Sequence, residues 1–270
     1  MQNGLSIHAC RGATGRCCWS RRRTTSRRGT RRSTTRAYAA SRSSTPPRLG
    51  WRPPAQASSP APTSSPTPPG TGVALTGGPR YDVPGGRRDG TASLEPEVAD
   101  NIPAPTFTLD QLTQSFAAKG LTQEEMVTLS GAHTVGRAHC TSFSDRLYNF
   151  SATGAADPSV DPALLPQLRR ACPAAGPDGA VDAGLVVPME PRTPNGFDAL
   201  YYWAVLRNRA LFTSDQALLS SPPTAAQVRQ TAYGGYPWKL KFAAAMVKMG
   251  QIEVLTGGSG EIRTKCSAVN

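Results

Sequence analysis

The chain has 270 residues and a formal net charge of +12 at pH 7. The excess lies at the N-terminal end, where the first 78 residues hold thirteen Arg and no Lys, Asp or Glu. The other 192 residues keep 17 of the 30 basic side chains and all 18 acidic ones, so this part is close to neutral and is not expected to bind nucleic acid. No run of about 18 apolar residues predicts a membrane span. The first residues lack the apolar core of a signal peptide, and none is predicted.

Residues 1–72 are biased towards Arg, Ser, Pro, Ala and Thr, with Arg runs followed by a Pro-rich stretch. Large aliphatic side chains are nearly absent, so the segment cannot bury enough apolar surface to offset its ordering entropy. We predict a disordered segment. An Arg-rich tail can bind RNA phosphates without folding, which leaves an RNA-binding protein as an alternative. A zinc site from His8, Cys10, Cys17 and Cys18 is disfavoured because the spacing matches no common motif.

Residues 73–270 show helix signals in chain order. Thr108 is placed to cap an amphipathic helix that ends at Gly120, and Thr122 with Glu125 forms a capping box for the next helix, which runs towards His133. Further helices are predicted over 164–169, 198–211 and 238–249, and 149–194 is predicted to be a long connection. Strand-like alternation is scarce. The fold class predicted for this part is mostly α.

One motif carries most of the chemical information: residues 129–140 read LSGAHTVGRAHC. A single His such as His133 is more often structural than a ligand. This motif, however, closely resembles the proximal segment of class III plant haem peroxidases. Further matching segments follow the family order over most of 73–270, among them 83–90, 101–105, 143–150, 192–194, 211–216 and 262–266. The resemblance implies an incomplete haem-peroxidase-like helical fold, with the proximal part present and the distal N-terminal part unmatched.

The resemblance assigns a role to several residues. His133 would be the axial ligand of haem b iron, and Asp215 would accept a hydrogen bond from its imidazole. Pro103 would flank the site of aromatic donors. One proximal Ca²⁺ would be held by the remaining matched positions, Thr134, Glu190, Thr193, Gly196 and Asp198.

Two departures bear on these sites. The family usually has Asp where Glu190 stands, and Met189 replaces an aromatic residue near the proximal His. Without the resemblance, the five oxygen-bearing positions would be ordinary loop residues, and this alternative stays open.

The cysteines carry a similar implication. Three of the six lie in the N-terminal segment and three in the rest, so one of the latter lacks an internal partner there. The resemblance implies a disulfide between Cys140 and Cys172, hence an oxidising compartment, extracellular or vacuolar. The usual partner of Cys266 lies upstream of Val73, in the part that does not match.

The distal machinery is not identified in the sequence. Cleavage of peroxide needs a base and a cation opposite the axial ligand, which the family supplies in an RLxFHDC-type motif. The only upstream histidine, His8, has no Arg at the required spacing. One hypothesis is that residues 1–72 are an out-of-frame translation of the distal part, testable by translating the genomic DNA in its other frames.

The resemblance therefore predicts a monomeric enzyme that uses H₂O₂ to oxidise small phenolic donors in one-electron steps, with activity impaired in this chain. The alternatives are a catalytically inactive haem-binding relic and an Arg-rich RNA-binding protein.

Overall fold

The computed structural model describes residues 71–92, 94–176, 180–264 and 269–270. Of the segment 1–72, which was predicted to be disordered, the structure describes only residues 71 and 72. The rest of the segment lies outside the described residues, and the domain boundary at Val73 stays a prediction. The helices are α1 (Thr71–Leu75), α2 (Pro96–Asn101), α3 (Leu109–Ala118), α4 (Gln123–Ser130), α5 (Ser144–Tyr148), α6 (Leu165–Ala171), α7 (Leu200–Leu206), α8 (Thr213–Gln216), α9 (Pro222–Gly234) and α10 (Tyr236–Met249). The mostly α fold class is confirmed. No helix in the described ranges is long and apolar enough to cross a membrane.

Both predicted helix starts are confirmed. The Thr108 hydroxyl accepts the backbone N–H of Gln111, whose side chain accepts the N–H of Thr108. Thr122 and Glu125 exchange the same pair of bonds at the start of α4. Each box satisfies two backbone donors that the first helical turn leaves unpaired.

The structure corrects the predictions further along the chain. The helix expected over 198–211 is only Leu200–Leu206, because the chain turns at Asn208, which has a left-handed φ of 58°. The short helix at 164–169 is Leu165–Ala171, and the last predicted helix begins earlier, at Tyr236. Helix α9 was not predicted at all.

Two short strands also interrupt regions predicted to lack them. Strand β1 (Arg137–His139) pairs antiparallel with β2 (Val186–Pro188), with Ala138 opposite Val187. Three residues are too few to display alternation, so the sequence pattern did not reveal them. The pairing connects the segment after His133 to the C-terminal end of the long 149–194 connection.

The buried side chains form two clusters on either side of the His133 segment. The larger contains apolar side chains from α3, α4, α7, α9 and α10, such as Met126, Tyr202 and Trp238. The smaller surrounds Cys140 and Cys172 and contains Phe143, Leu147, Leu168, Met189 and Phe212. Because the chain from α4 to β1 runs from one cluster to the other, the residues between them are held at both ends.

Candidate functional site

His133 lies in a short 3₁₀ turn, Gly131–Thr134, that directly follows α4. The packing around this turn leaves no room for a side chain at residue 131, which is glycine. A Cβ at this position would lie 2.5 Å from Cζ2 of Trp238 and 2.6 Å from the hydroxyl of Tyr202. Close packing against these two rings therefore fixes where the chain leaves α4 and where the imidazole is presented.

The predicted partnership of His133 and Asp215 is present. Nδ1 of His133 lies 2.7 Å from Oδ1 of Asp215, although 82 residues separate them in sequence. The imidazole is 25% exposed, whereas the carboxylate is 2% exposed. Because Nδ1 is engaged by the carboxylate, Nε2 is the ring nitrogen that can bind a ligand. This is the arrangement that orients a metal-binding imidazole and increases its basicity.

The electrostatics of His133 reflect two opposing effects. Burial lowers the pKa of the imidazole, while the charge of Asp215 and its hydrogen bond raise it, and the net pKa lies above the ordinary value of 6.5. The carboxylate therefore more than offsets the desolvation of the ring and holds a proton firmly at Nδ1.

Two aromatic residues complete the surroundings of the imidazole. The ring of Phe212 meets it edge-on at a centroid distance of 5.4 Å, and that of Tyr201 does so at 6.0 Å. The Tyr201 hydroxyl also donates a hydrogen bond of 2.8 Å to Oδ1 of Asp215. Phe212 lies in the matching segment 211–216, but neither ring was predicted to have a role, because no local pattern shows which rings face residue 133.

The five predicted calcium ligands come together next to His133. The Thr134 hydroxyl donates to Oδ1 of Asp198 at 3.1 Å, and the Thr193 hydroxyl donates to Oδ2 at 2.7 Å. The carbonyl of Gly196 lies 3.5 Å from Oγ1 of Thr134. Asp198 also accepts the backbone N–H of Leu200, the first residue of α7.

Glu190 follows the end of β2 by two residues and contacts Thr193. With Thr134, Thr193, Gly196 and Asp198 it forms what we call the oxygen cluster. Its side chain is buried, and Oε2 accepts the backbone N–H of Thr193 at 2.6 Å and lies 3.2 Å from the hydroxyl oxygen of the same residue. The cluster combines two carboxylates, two hydroxyls and a carbonyl, a donor set suited to a hard cation such as Ca²⁺. Within the described residues, no group of three or more His, Cys, Asp or Glu side chains is placed to hold a metal ion. A cation here would therefore depend on the threonine and carbonyl oxygens.

Pro103 and the cysteines were the other predicted positions. Pro103 is half-buried in the loop between α2 and α3, and the carbonyl of Pro105 accepts the backbone N–H of Ser214, next to Asp215. Cys140 and Cys172 form the predicted disulfide, with a Cα–Cα distance of 5.5 Å. Cys266 lies outside the described residues.

Comparison with known proteins identifies the class. The family model for peroxidases matches residues 70–234. Peroxidase 5 of Vitis vinifera is 58% identical over 198 residues, which are 73% of this chain and 59% of that protein. Peroxidase 16 of Arabidopsis thaliana is 43% identical over the same share of this chain and 60% of its own length. Peroxidase 1 of Zea mays is 45% identical over 201 residues, 54% of its length.

The chain belongs to the peroxidase family, and the resemblance to the class III plant enzymes is confirmed. It spans about 60% of the length of the plant peroxidases it matches. The matched residues are the C-terminal part of this chain.

Proposed function

We propose that the chain binds haem b through Nε2 of His133 and acts on H₂O₂ as a haem peroxidase of small phenolic donors. The observation that carries the proposal is the His133–Asp215 pair, with its 2.7 Å hydrogen bond to a buried carboxylate. The His133 ring is partly exposed, its Nδ1 is bonded to Asp215, and its Nε2 remains available for iron. These residues therefore fit a bound haem.

Bound haem supplies the redox chemistry with peroxide and with one-electron donors. The protein's own contribution begins at Asp215, which fixes the Nδ1–H tautomer and makes the imidazole a stronger electron donor. Phe212 and Tyr201 border the ring edge-on and restrict its rotation. Pro103, on the loop that is bonded to the start of α8, is proposed to contact the aromatic donor.

We propose that a polypeptide of these 270 residues turns over slowly. Peroxide cleavage requires a group that moves a proton between the two oxygens. Besides His133, the described ranges contain one further histidine, His139, whose Nδ1 lies 2.8 Å from the carbonyl oxygen of Ala183 in the strand region. We assign no residue to the distal role.

The oxygen cluster around Asp198 is proposed as a single Ca²⁺ site. Thr134 follows His133 directly and donates to Asp198, so a cation there would stiffen the segment that presents the imidazole. The disulfide supports a proposed extracellular or vacuolar location, since such bonds persist in oxidising compartments. We further propose that the protein is a monomer.

Haem titration of the purified chain, followed by H₂O₂ and guaiacol, tests the function. We expect a saturable Soret band with little guaiacol oxidation. The absence of a Soret band would contradict haem binding, and a salt-sensitive RNA complex in its place would favour the Arg-rich alternative. Rapid turnover would contradict the proposed lack of distal residues and support a fully active peroxidase.

A further inference from the structure

Two adjacent tyrosines on α7 have different hydrogen-bond acceptors. Tyr201 and Tyr202 are both buried, at 2% and 0% exposure. The Tyr202 hydroxyl donates to the backbone carbonyls of Val127 and Thr128, at the end of α4. The Tyr201 hydroxyl donates to a side chain, the carboxylate of Asp215, at 2.8 Å. Tyr202 therefore has a packing role, while Tyr201 acts on the group that holds His133.

The two hydrogen bonds of Asp215 meet on one atom. Oδ1 accepts from Nδ1 of His133 at 2.7 Å and from the hydroxyl of Tyr201 at 2.8 Å. The other oxygen, Oδ2, is buried and has no hydrogen-bond partner among the described residues. The imidazole and the phenol therefore both depend on the charge of the same carboxylate oxygen.

Two donors on one oxygen weaken each other's bond, because each withdraws charge from the acceptor. In a buried site this effect is not screened by water. The Tyr201 phenol carries its proton at neutral pH and donates it to Oδ1 of Asp215 across 2.8 Å. Without the phenol, the full charge of Oδ1 would act on the Nδ1–H of His133.

We propose that Tyr201 is a positioning residue that limits how strongly Asp215 polarises the His133 imidazole. The contact exists in the chain without haem. Its consequence at iron rests on the proposed function: with Tyr201 in place, the imidazole is a weaker electron donor and the iron has a higher reduction potential than it would have without the phenol.

The first test needs no haem. In the full chain labelled with ¹⁵N-histidine, we expect Tyr201→Phe to move the Nδ1 proton of His133 downfield, as its bond to Asp215 strengthens. Tyr202→Phe removes an equally buried hydroxyl and should leave this proton in place. His139 provides an internal reference, since its Nδ1 contacts the carbonyl of Ala183. An upfield shift in Tyr201→Phe, or one no larger than in Tyr202→Phe, would overturn the proposal.

A second measurement avoids substitution altogether. Biosynthetic replacement of tyrosine by 3-fluorotyrosine makes each phenol a stronger donor, so the His133 proton should move upfield in the otherwise unchanged chain. No movement, or a downfield one, would contradict the proposal even if Tyr201→Phe failed to fold.

The consequence at iron is measured in the haem-loaded chain. Tyr201→Phe should lower the Fe(III)/Fe(II) midpoint potential relative to wild type, and Tyr202→Phe should not. An unchanged potential in Tyr201→Phe would overturn the effect at iron. If His133 does not bind haem, the proposed function fails, and the proton shifts still decide the role of Tyr201.

Discussion

Gly131 lies directly against the indole of Trp238, with room for no side chain between them. The indole cannot move aside easily, because its Nε1 donates to the carbonyl of Thr128 at 3.0 Å. Tyr202, the other neighbour of Gly131, is bonded to the same carbonyl. A glycine two residues before His133 is thus a packing requirement of the larger core cluster.

Gly131→Ala should destabilise the protein. The added methyl group must displace Trp238 or Tyr202, and overpacking of this kind costs about 1–3 kcal/mol. Urea unfolding of the variant should show a lower midpoint. Gly234→Ala is the matched control, since nothing lies within 4 Å of a Cβ there. Equal stability of the two variants would contradict the packing account.

Asp157→Asn should destabilise the protein more strongly. Nε of Arg146 lies 2.7 Å from Oδ2 of Asp157, and both side chains are at most 3% exposed. The guanidinium also donates to the carbonyls of Ala210 and Leu211, so it ties α5 to the chain preceding α8. Removing the carboxylate leaves a buried cation without its counterion, at a cost of about 3–5 kcal/mol. The exposed Asp145→Asn, on the same helix as Arg146, should have a small effect.

The same pair predicts a pH dependence. Burial raises the pKa of Asp157, but hydrogen bonds from Ser159 and Arg146 outweigh it, so the folded-state pKa lies below the ordinary 3.8. A depressed pKa gives stability that is present above the unfolded value and is lost as pH falls through the folded one. The difference in unfolding free energy between wild type and Asp157→Asn should be constant above about pH 5 and shrink below pH 4. A difference that grows on acidification would contradict this assignment.

Asp198→Asn should abolish the proposed binding of Ca²⁺ by the oxygen cluster. The substitution removes a charge and one of the carboxylates around which Thr134 and Thr193 converge. Calorimetric titration of the chelator-treated chain with Ca²⁺ measures this loss of affinity. Asp182→Asn, on an exposed loop, is the control. Glu190→Asp restores the residue usual in the family and should retain binding. Equal affinities of wild type and Asp198→Asn would exclude the site.

Reduction of the Cys140–Cys172 disulfide should lower the urea midpoint. Cys140 and Cys172 close a loop of 32 residues, for which the chain-entropy model gives a stabilisation of about 3–4 kcal/mol. Unfolding with and without reductant measures this loss. A Cys140→Ala/Cys172→Ala double variant should lose the sensitivity to reductant. If the double variant responds like wild type, other cysteines account for the effect.

The sequence predicted those features whose cause is local. Thr108 and Thr122 each start a helix through a side chain three residues from its partner, so the signal lies within one turn. Helix α9 carried a similar signal, Ser221 followed by prolines at the first helical positions, but its interior has little apolar periodicity. The 198–211 helix was predicted too long because nothing in the local sequence excludes Asn208 from a helix. Its left-handed conformation depends on tertiary contacts. One of these is the bond that Gln216 donates to its side chain.

The candidate site likewise contains features that the sequence predicted and features that it did not. His133, Asp215 and the oxygen cluster were predicted because their motifs resemble those of a family, and the structure brings each set together. The contacts of Tyr201 and Phe212 with His133 bridge about 70 to 80 residues of sequence, and no local pattern encodes which ring meets which. The sharing of Oδ1 between two donors is visible only in three dimensions.

The central claim is that His133 presents Nε2 to haem iron. Haem titration of His133→Ala beside His139→Ala tests it most directly, since His139 is the other histidine of the described ranges and belongs to β1. We expect the Soret band of a coordinated haem to disappear in His133→Ala and to persist in His139→Ala. A band that survives in His133→Ala with unchanged position and affinity would contradict the account.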